Sequence, residues 1–194
     1  MIRMQGRGTM GGGGFALAVV VLLFIATFAG CVGPQGGPEG PPEFTASSDA
    51  FMHGRLMPVR YTCLGEDISP VISWVQVPNG TQSIAVIVED PDAPGGVFTH
   101  WLVYCIPAKQ TELAEGIPKE KEVAGGIRQG RNDFGTAGYR GPCPPEGSSH
   151  RYILRVYALD IMVPLEGGAD RKTFDAAVKG HVLDGVETGA VFGR

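Results

Sequence analysis

From residue 51 onward the apolar residues come in short runs broken by glycine and proline, and this punctuation limits the fold more than any other feature. Ser83-Ile84-Ala85-Val86-Ile87-Val88-Glu89 is followed at once by Asp90-Pro91-Asp92-Ala93-Pro94-Gly95-Gly96. His100 to Ile106, HWLVYCI, is closed by Pro107, and Tyr152 to Leu159, YILRVYAL, alternates late in its length. Runs of seven or eight residues, rich in β-branched and aromatic side chains and halted by turn formers, predict strands. Weaker runs at 58–62 and 71–77 are further strand candidates. Only 173–182 has helical spacing, with Phe174, Ala177, Val178 and His181 at three- and four-residue steps and Gly185 as a stop. The chain is therefore predicted to be mainly β.

The first 45 residues cannot belong to such a domain. Phe15 to Phe28, FALAVVVLLFIATF, carries no charge, follows Arg3 and Arg7, and leads into Ala29-Gly30-Cys31. A basic start, a short apolar run and small residues describe an export signal. The run is short for a span, which needs about 20 residues. Phe28-Ala29-Gly30-Cys31 resembles a lipoprotein lipobox, with Phe28 where leucine is usual. Cys31 is the expected lipidation site, while an uncleaved anchor and simple cleavage also fit. Val32 to Phe44 is rich in Pro and Gly and has only acidic charges, so it reads as a linker. The expected organisation is a leader at 1–31, a linker at 32–45 and one domain at 46–194, exported and tethered to the outer face of the cytoplasmic membrane.

The net charge of −4 argues against a nucleic-acid partner. Because both charges of the leader are basic, the remainder is more acidic still. Arg128, Arg131 and Arg140 form the widest basic cluster, readable as a solvated face or as a local anion contact.

Polar residues gather where strands end. Asp90 and Asp92 flank a proline, His100 opens a strand, and Gly141-Pro142-Cys143-Pro144-Pro145 forces an extended loop before His150 and Tyr152. His150 and Tyr152 share a strand face by the period of two. Each of these has an ordinary structural explanation as turn, rim or core. Together they suggest a pocket of Asp, His and Tyr donors and acceptors. GxSxG, HExxH, P-loop and GxGxxG patterns do not occur, and the Asp and His spacing matches no tight metal site. The expectation is a non-catalytic protein without metal or cofactor.

In order along the chain, DPDAP at 90–94, HWLV at 100–103, NDFG at 132–135, GPCPP at 141–145 and HRY at 150–152 resemble the signature blocks of the phosphatidylethanolamine-binding protein family. The likeness is greatest to its bacterial and archaeal branch, which YTCLGEDISP at 61–70 also resembles. The resemblance implies a large antiparallel sheet packed on a smaller one, with a few short helices and a small pocket at one sheet end. That pocket would hold phosphate-like anions or phospholipid head groups. By motif position Asp90, Asp92, His100, Gly141, Pro142, His150 and Tyr152 would line or shape it, with His100, His150 and backbone N–H groups of the Gly141 loop donating to the anion. A protease or another protein partner, which family members inhibit, is the alternative. Arg140 stands where glycine is usual, adding a cation at the pocket mouth or pointing to solvent. Cys63 and Cys143 both fall in motif loops and could form a bridge, whereas Cys105 in a strand is expected to be a buried thiol.

Overall fold

The computed structural model describes residues 43–194, so the proposed leader, linker and Cys31 lie almost wholly outside the described residues. The domain begins slightly earlier than expected. Phe44 is buried, and β1 already starts at Thr45 (Thr45–Ser47).

Two antiparallel sheets form the frame. The smaller has the order β1-β2-β5, with β2 at Ile72–Val75 and β5 at Glu112–Leu113. The larger contains β3 (Ser83–Asp90), β4 (Phe98–Pro107), β6 (Glu122–Val123), β7 (Ile127–Gln129), β8 (Ser149–Leu159) and β9 (Val182–Gly193), in the order β6-β7-β4-β3-β8-β9. A helix, α1 (Arg171–Val178), lies between β8 and β9 in sequence.

Both faces of the large sheet are covered, which is why its central strands are apolar almost throughout. Every residue of β3 is buried. Ile84, Val86 and Val88 point to one side with Trp101 and Val103, where they join Ile72, Trp74 and Leu113 of the small sheet. Ala85 and Ile87 point to the other with Leu102 and Tyr104, where Phe174 and Val178 of α1 cover them. Fully burying one such side chain contributes about 1.5–3 kcal/mol, so this three-layer arrangement is the main source of stability.

Cys105 breaks the alternation. Tyr104 and Cys105 both face the helix side, Cys105 has φ +58°, and the register with β3 shifts between Ile84 and Val86. This is a β-bulge. The Cys105 thiol is buried and approaches the Val163 carbonyl at 3.2 Å, and burial raises its pKa.

Two expectations require correction. Residues 58–62 are not a strand; Val59–Tyr61 forms a single 3-10 turn. The helix occupies Arg171–Val178 rather than 173–182. It begins at Asp170, whose carboxylate accepts the Thr173 N–H at 2.9 Å as an N-cap. It stops at Gly180, in left-handed conformation at φ +84°, and Val182 already belongs to β9. That edge strand carries little sequence signal because its first half is largely exposed and the strand is interrupted by Gly185 and Gly189, leaving little alternation to detect.

Candidate functional site

The ends of β3, β4 and β8 come together at one end of the large sheet, on the face carrying the small sheet. Asp90 is the last residue of β3, His100 the third of β4, and His150 and Tyr152 the second and fourth of β8. Antiparallel pairing of β3 with both β4 and β8 makes these neighbours. They line a cavity of about 190 Å³ together with Ala93, Pro94, Phe98, Phe134, Cys143, Pro144 and Pro145. Among the described residues, no lysine or arginine lines it.

Each imidazole is held through Nδ1. His100 Nδ1–H donates to the Arg140 carbonyl at 2.7 Å, and His150 Nδ1–H to Asp90 Oδ2 at 2.8 Å. The other Asp90 oxygen accepts the Asp92 N–H at 2.8 Å, so one buried carboxylate fixes both the ring and the turn after β3. Neither Nε2 has a protein partner among the described residues. The Tyr152 hydroxyl alone is both fully buried and unpartnered there, so the two Nε2 atoms are open to the cavity. Burial lowers the His100 pKa and outweighs the raising effect of the Arg140 carbonyl, which keeps this ring neutral at neutral pH with Nε2 as an acceptor. Burial first, and then the Asp90 carboxylate, which the hydroxyl approaches without completing a well-aligned hydrogen bond, raise the Tyr152 pKa, so the hydroxyl stays protonated.

The opposite wall is aromatic. Phe98 and Phe134 meet edge to face at 4.8 Å, His100 lies 5.3 Å and 5.4 Å from them, and Tyr152 stands edge-on to His100 at 5.3 Å. Arg140 stacks over Phe134 at 5.0 Å and approaches Asp67 at 3.6 Å. The three arginines of the basic cluster go separate ways. Arg128 reaches the Leu165 carbonyl and Glu166, and Arg131 pairs with Asp170.

Three of the predicted residues act from outside the cavity wall. Asp92 accepts from the Arg151 backbone N–H and both arms of its guanidinium at 2.5–2.9 Å. Arg151 holds its carboxyl down at about 2. It clamps the 90–94 turn to β8 and is not among the residues that line the cavity. The Gly141 N–H, expected to donate to an anion, is already given to Asp67 Oδ1 at 2.6 Å. A Cβ at Gly141 would sit 2.4 Å from the Tyr61 carbonyl oxygen, so glycine is required by close packing there. The Pro142 carbonyl accepts from Cys63 N–H at 3.1 Å, and Cys63 is bonded to Cys143, realising the possible bridge.

The sequence profile of the phosphatidylethanolamine-binding protein family matches residues 47–193. The chain belongs to that family. Among relatives in this family, the UPF0098 protein of Aquifex aeolicus is 51% identical over 138 residues, covering 70% of this chain and 80% of its own. That of Pyrococcus horikoshii is 43% identical over 170 residues, covering 86% and 83%. Of solved structures, E. coli YBCL, described as a member of the mammalian PEBP family, aligns at TM-score 0.73 and 33% identity, covering 79% of this chain and 99% of its own. A family homologue from Chlamydia trachomatis aligns at 0.71 and 35%, covering 78% and 97%. The family's two-sheet β architecture is thus the one seen here.

The aromatic wall was missed from sequence. Phe98 carried no signal beyond its place two residues before His100, on the same strand face by the period of two. Phe134 sat inside the NDFG block and was quoted there without a role. In sequence Pro144 and Pro145 signal only a stiff loop, and only the fold shows that they are also wall.

Proposed function

We propose that this family member is a non-catalytic binding protein whose cavity takes the singly ionised end of a small oxyanion, such as a phosphate monoester. The observation that carries this is the pair of His100 and His150 Nε2 atoms without a protein partner among the described residues at the cavity wall, with the buried Tyr152 hydroxyl just behind them and short of a well-aligned partner. A buried donor left unmade costs about 1–3 kcal/mol, which a ligand oxygen would recover.

The donor and acceptor pattern selects the protonation state. Tyr152 O–H calls for an acceptor oxygen. Neutral His100, its Nδ1–H spent on the Arg140 carbonyl, offers a lone pair and calls for a ligand O–H. His150 Nε2, its Nδ1–H given to Asp90, accepts likewise. A monoprotonated phosphate group has both an ionised oxygen and a hydroxyl. With no lysine or arginine among the described residues of the wall and the Asp90 carboxylate close by, a dianion would be poorly neutralised. Phe98, Phe134 and the prolines would pack the ester's organic part.

The leader supports export and a tether at the outer face of the cytoplasmic membrane, which would present the cavity to phosphate-bearing lipid head groups or soluble esters there. Calorimetric titration of the full chain with phosphate and phosphoethanolamine between pH 5 and 8 tests the reading. Affinity should fall as the phosphate loses its second proton, near pH 6 for an ester. Equal affinity across that range, or none in a folded protein, would overturn it. A His100→Ala/His150→Ala double variant should remain folded and lose binding.

A further inference from the structure

Cys143, Pro144 and Pro145 form part of the cavity wall, and the segment that carries them, residues 141–147, is pinned at both ends. Gly141 N–H is held by Asp67, the Pro142 carbonyl by Cys63 N–H, the Pro145 carbonyl by the Ser148 N–H and hydroxyl, and Gly147 N–H by the Arg194 carbonyl. Between those anchors, Cys143 and Pro144 make no backbone hydrogen bond among the described residues. What fixes this part of the wall, besides packing of Pro144, is the covalent bond to Cys63, 80 residues away in sequence. Cys143 is exposed and Cys63 half-buried, so a thiolate can reach the bridge from solvent. Arg194 places Nη1 3.5 Å from Cys143 Sγ while its Nη2 lies 3.5 Å from Glu146. A guanidinium beside a sulfur stabilises its thiolate and makes it the better leaving group.

We propose that Cys63–Cys143 is an exchangeable disulfide that gates the cavity. A dithiol, free or carried on a protein, supplies the electrons. One of its thiolates attacks Cys63 Sγ, forming a mixed disulfide there and expelling Cys143 as a thiolate beside Arg194. The second thiol then attacks the mixed disulfide, closes the dithiol into its own disulfide and releases Cys63. Two electrons pass to the protein and both cysteines end as thiols. The wall at Cys143 and Pro144 is then free to swing from the cavity while both sheets stay intact. The consequence for ligand rests on the cavity being the anion site, whereas opening of the wall does not.

The test reduces the full oxidised chain with dithiothreitol, without denaturant, and follows three signals. Alkylation and mass mapping report which cysteine carries the mixed disulfide. Amide exchange compares Gly147 and Cys63, whose N–H groups are bonded to the Arg194 and Pro142 carbonyls, with the core amides of Val86 and Val103. Titration with inorganic phosphate gives affinity before and after. The expected result is reduction in the folded state, a first adduct on Cys63, at least tenfold faster exchange in the loop alone, and at least fivefold weaker phosphate binding. Arg194→Gln should slow reduction on the order of threefold, and a Cys63→Ser/Cys143→Ser variant should match the reduced protein. Reduction only in step with core exchange, or a reduced loop that exchanges as slowly as the oxidised one, overturns the gate. If the oxidised chain binds no phosphate yet the loop opens on reduction, the anion reading fails and the gate stands.

Discussion

Replacing Tyr152 by Phe separates a ligand group from a structural one, because the two roles predict opposite signs for stability. Tyr152 is fully buried, and its hydroxyl completes no well-aligned hydrogen bond among the described residues, with Asp90 the nearest acceptor. Left in that state the group costs about 1–3 kcal/mol. Removing it recovers most of that, less about 0.2 kcal/mol for roughly 10 Å³ of vacated space at about 24 cal/mol per Å³. Tyr152→Phe should therefore be more stable by about 1–2 kcal/mol, a rise in Tm of roughly 2–8 °C for a domain of this size. Binding should move the other way. A hydrogen bond to a charged oxygen contributes about 1.5–3 kcal/mol, so affinity for phosphate should drop roughly 10- to 100-fold. Urea melts at pH 7 without ligand, paired with calorimetric titration, give both numbers from one preparation. A variant less stable than the wild type would refute the reasoning, since it would mean that the hydroxyl already donates within the empty protein, with Asp90 the nearest candidate. Unchanged affinity would remove Tyr152 from the site.

Three further outcomes follow from the geometry. The His100 pKa is lowered by burial, so between its folded value and the unfolded value of about 6.5 the unfolded chain binds the extra proton. Stability should be full above about pH 6.5 and decline as pH falls, by at most about 1.4 kcal/mol per pH unit from this group; melts of wild type and His100→Gln from pH 7 to 5 should differ by that slope. Asp92, held down at about 2 by Arg151, contributes stability that is present above its usual value near 3.9 and lost as pH falls toward 2. The pair is open to solvent, which limits Asp92→Asn to about 0.5–1 kcal/mol at pH 7, measurable as a small Tm loss that vanishes at low pH. Gly141→Ala drives a Cβ into the Tyr61 carbonyl and the Thr62 backbone. It should cost about 2–3 kcal/mol or more and weaken phosphate binding by shifting the wall.

Local chemistry and motif order settled a good deal here without any structure. Strands β3, β4 and β8 were legible because a strand buried on both faces must be apolar along its length and must end at turn residues. The family could be recognised from blocks at 90–94, 100–103 and 141–152, since each block is a short stretch whose residues are read together. Asp90, His100, His150 and Tyr152 followed from the same blocks. What sequence could not decide were questions of distance between segments far apart in the chain. Whether Asp92 faces a ligand or Arg151 depends on how the turn after β3 lies against β8. Whether the Gly141 N–H is free depends on Asp67, 74 residues earlier. The Cys63–Cys143 bridge, the stacking of Arg140 on Phe134 and the aromatic wall opposite the imidazoles all depend on loops meeting across a sheet end. Hydrophobic periodicity reports which face of an element is buried, but the partner that completes each polar group is chosen only when the sheets close.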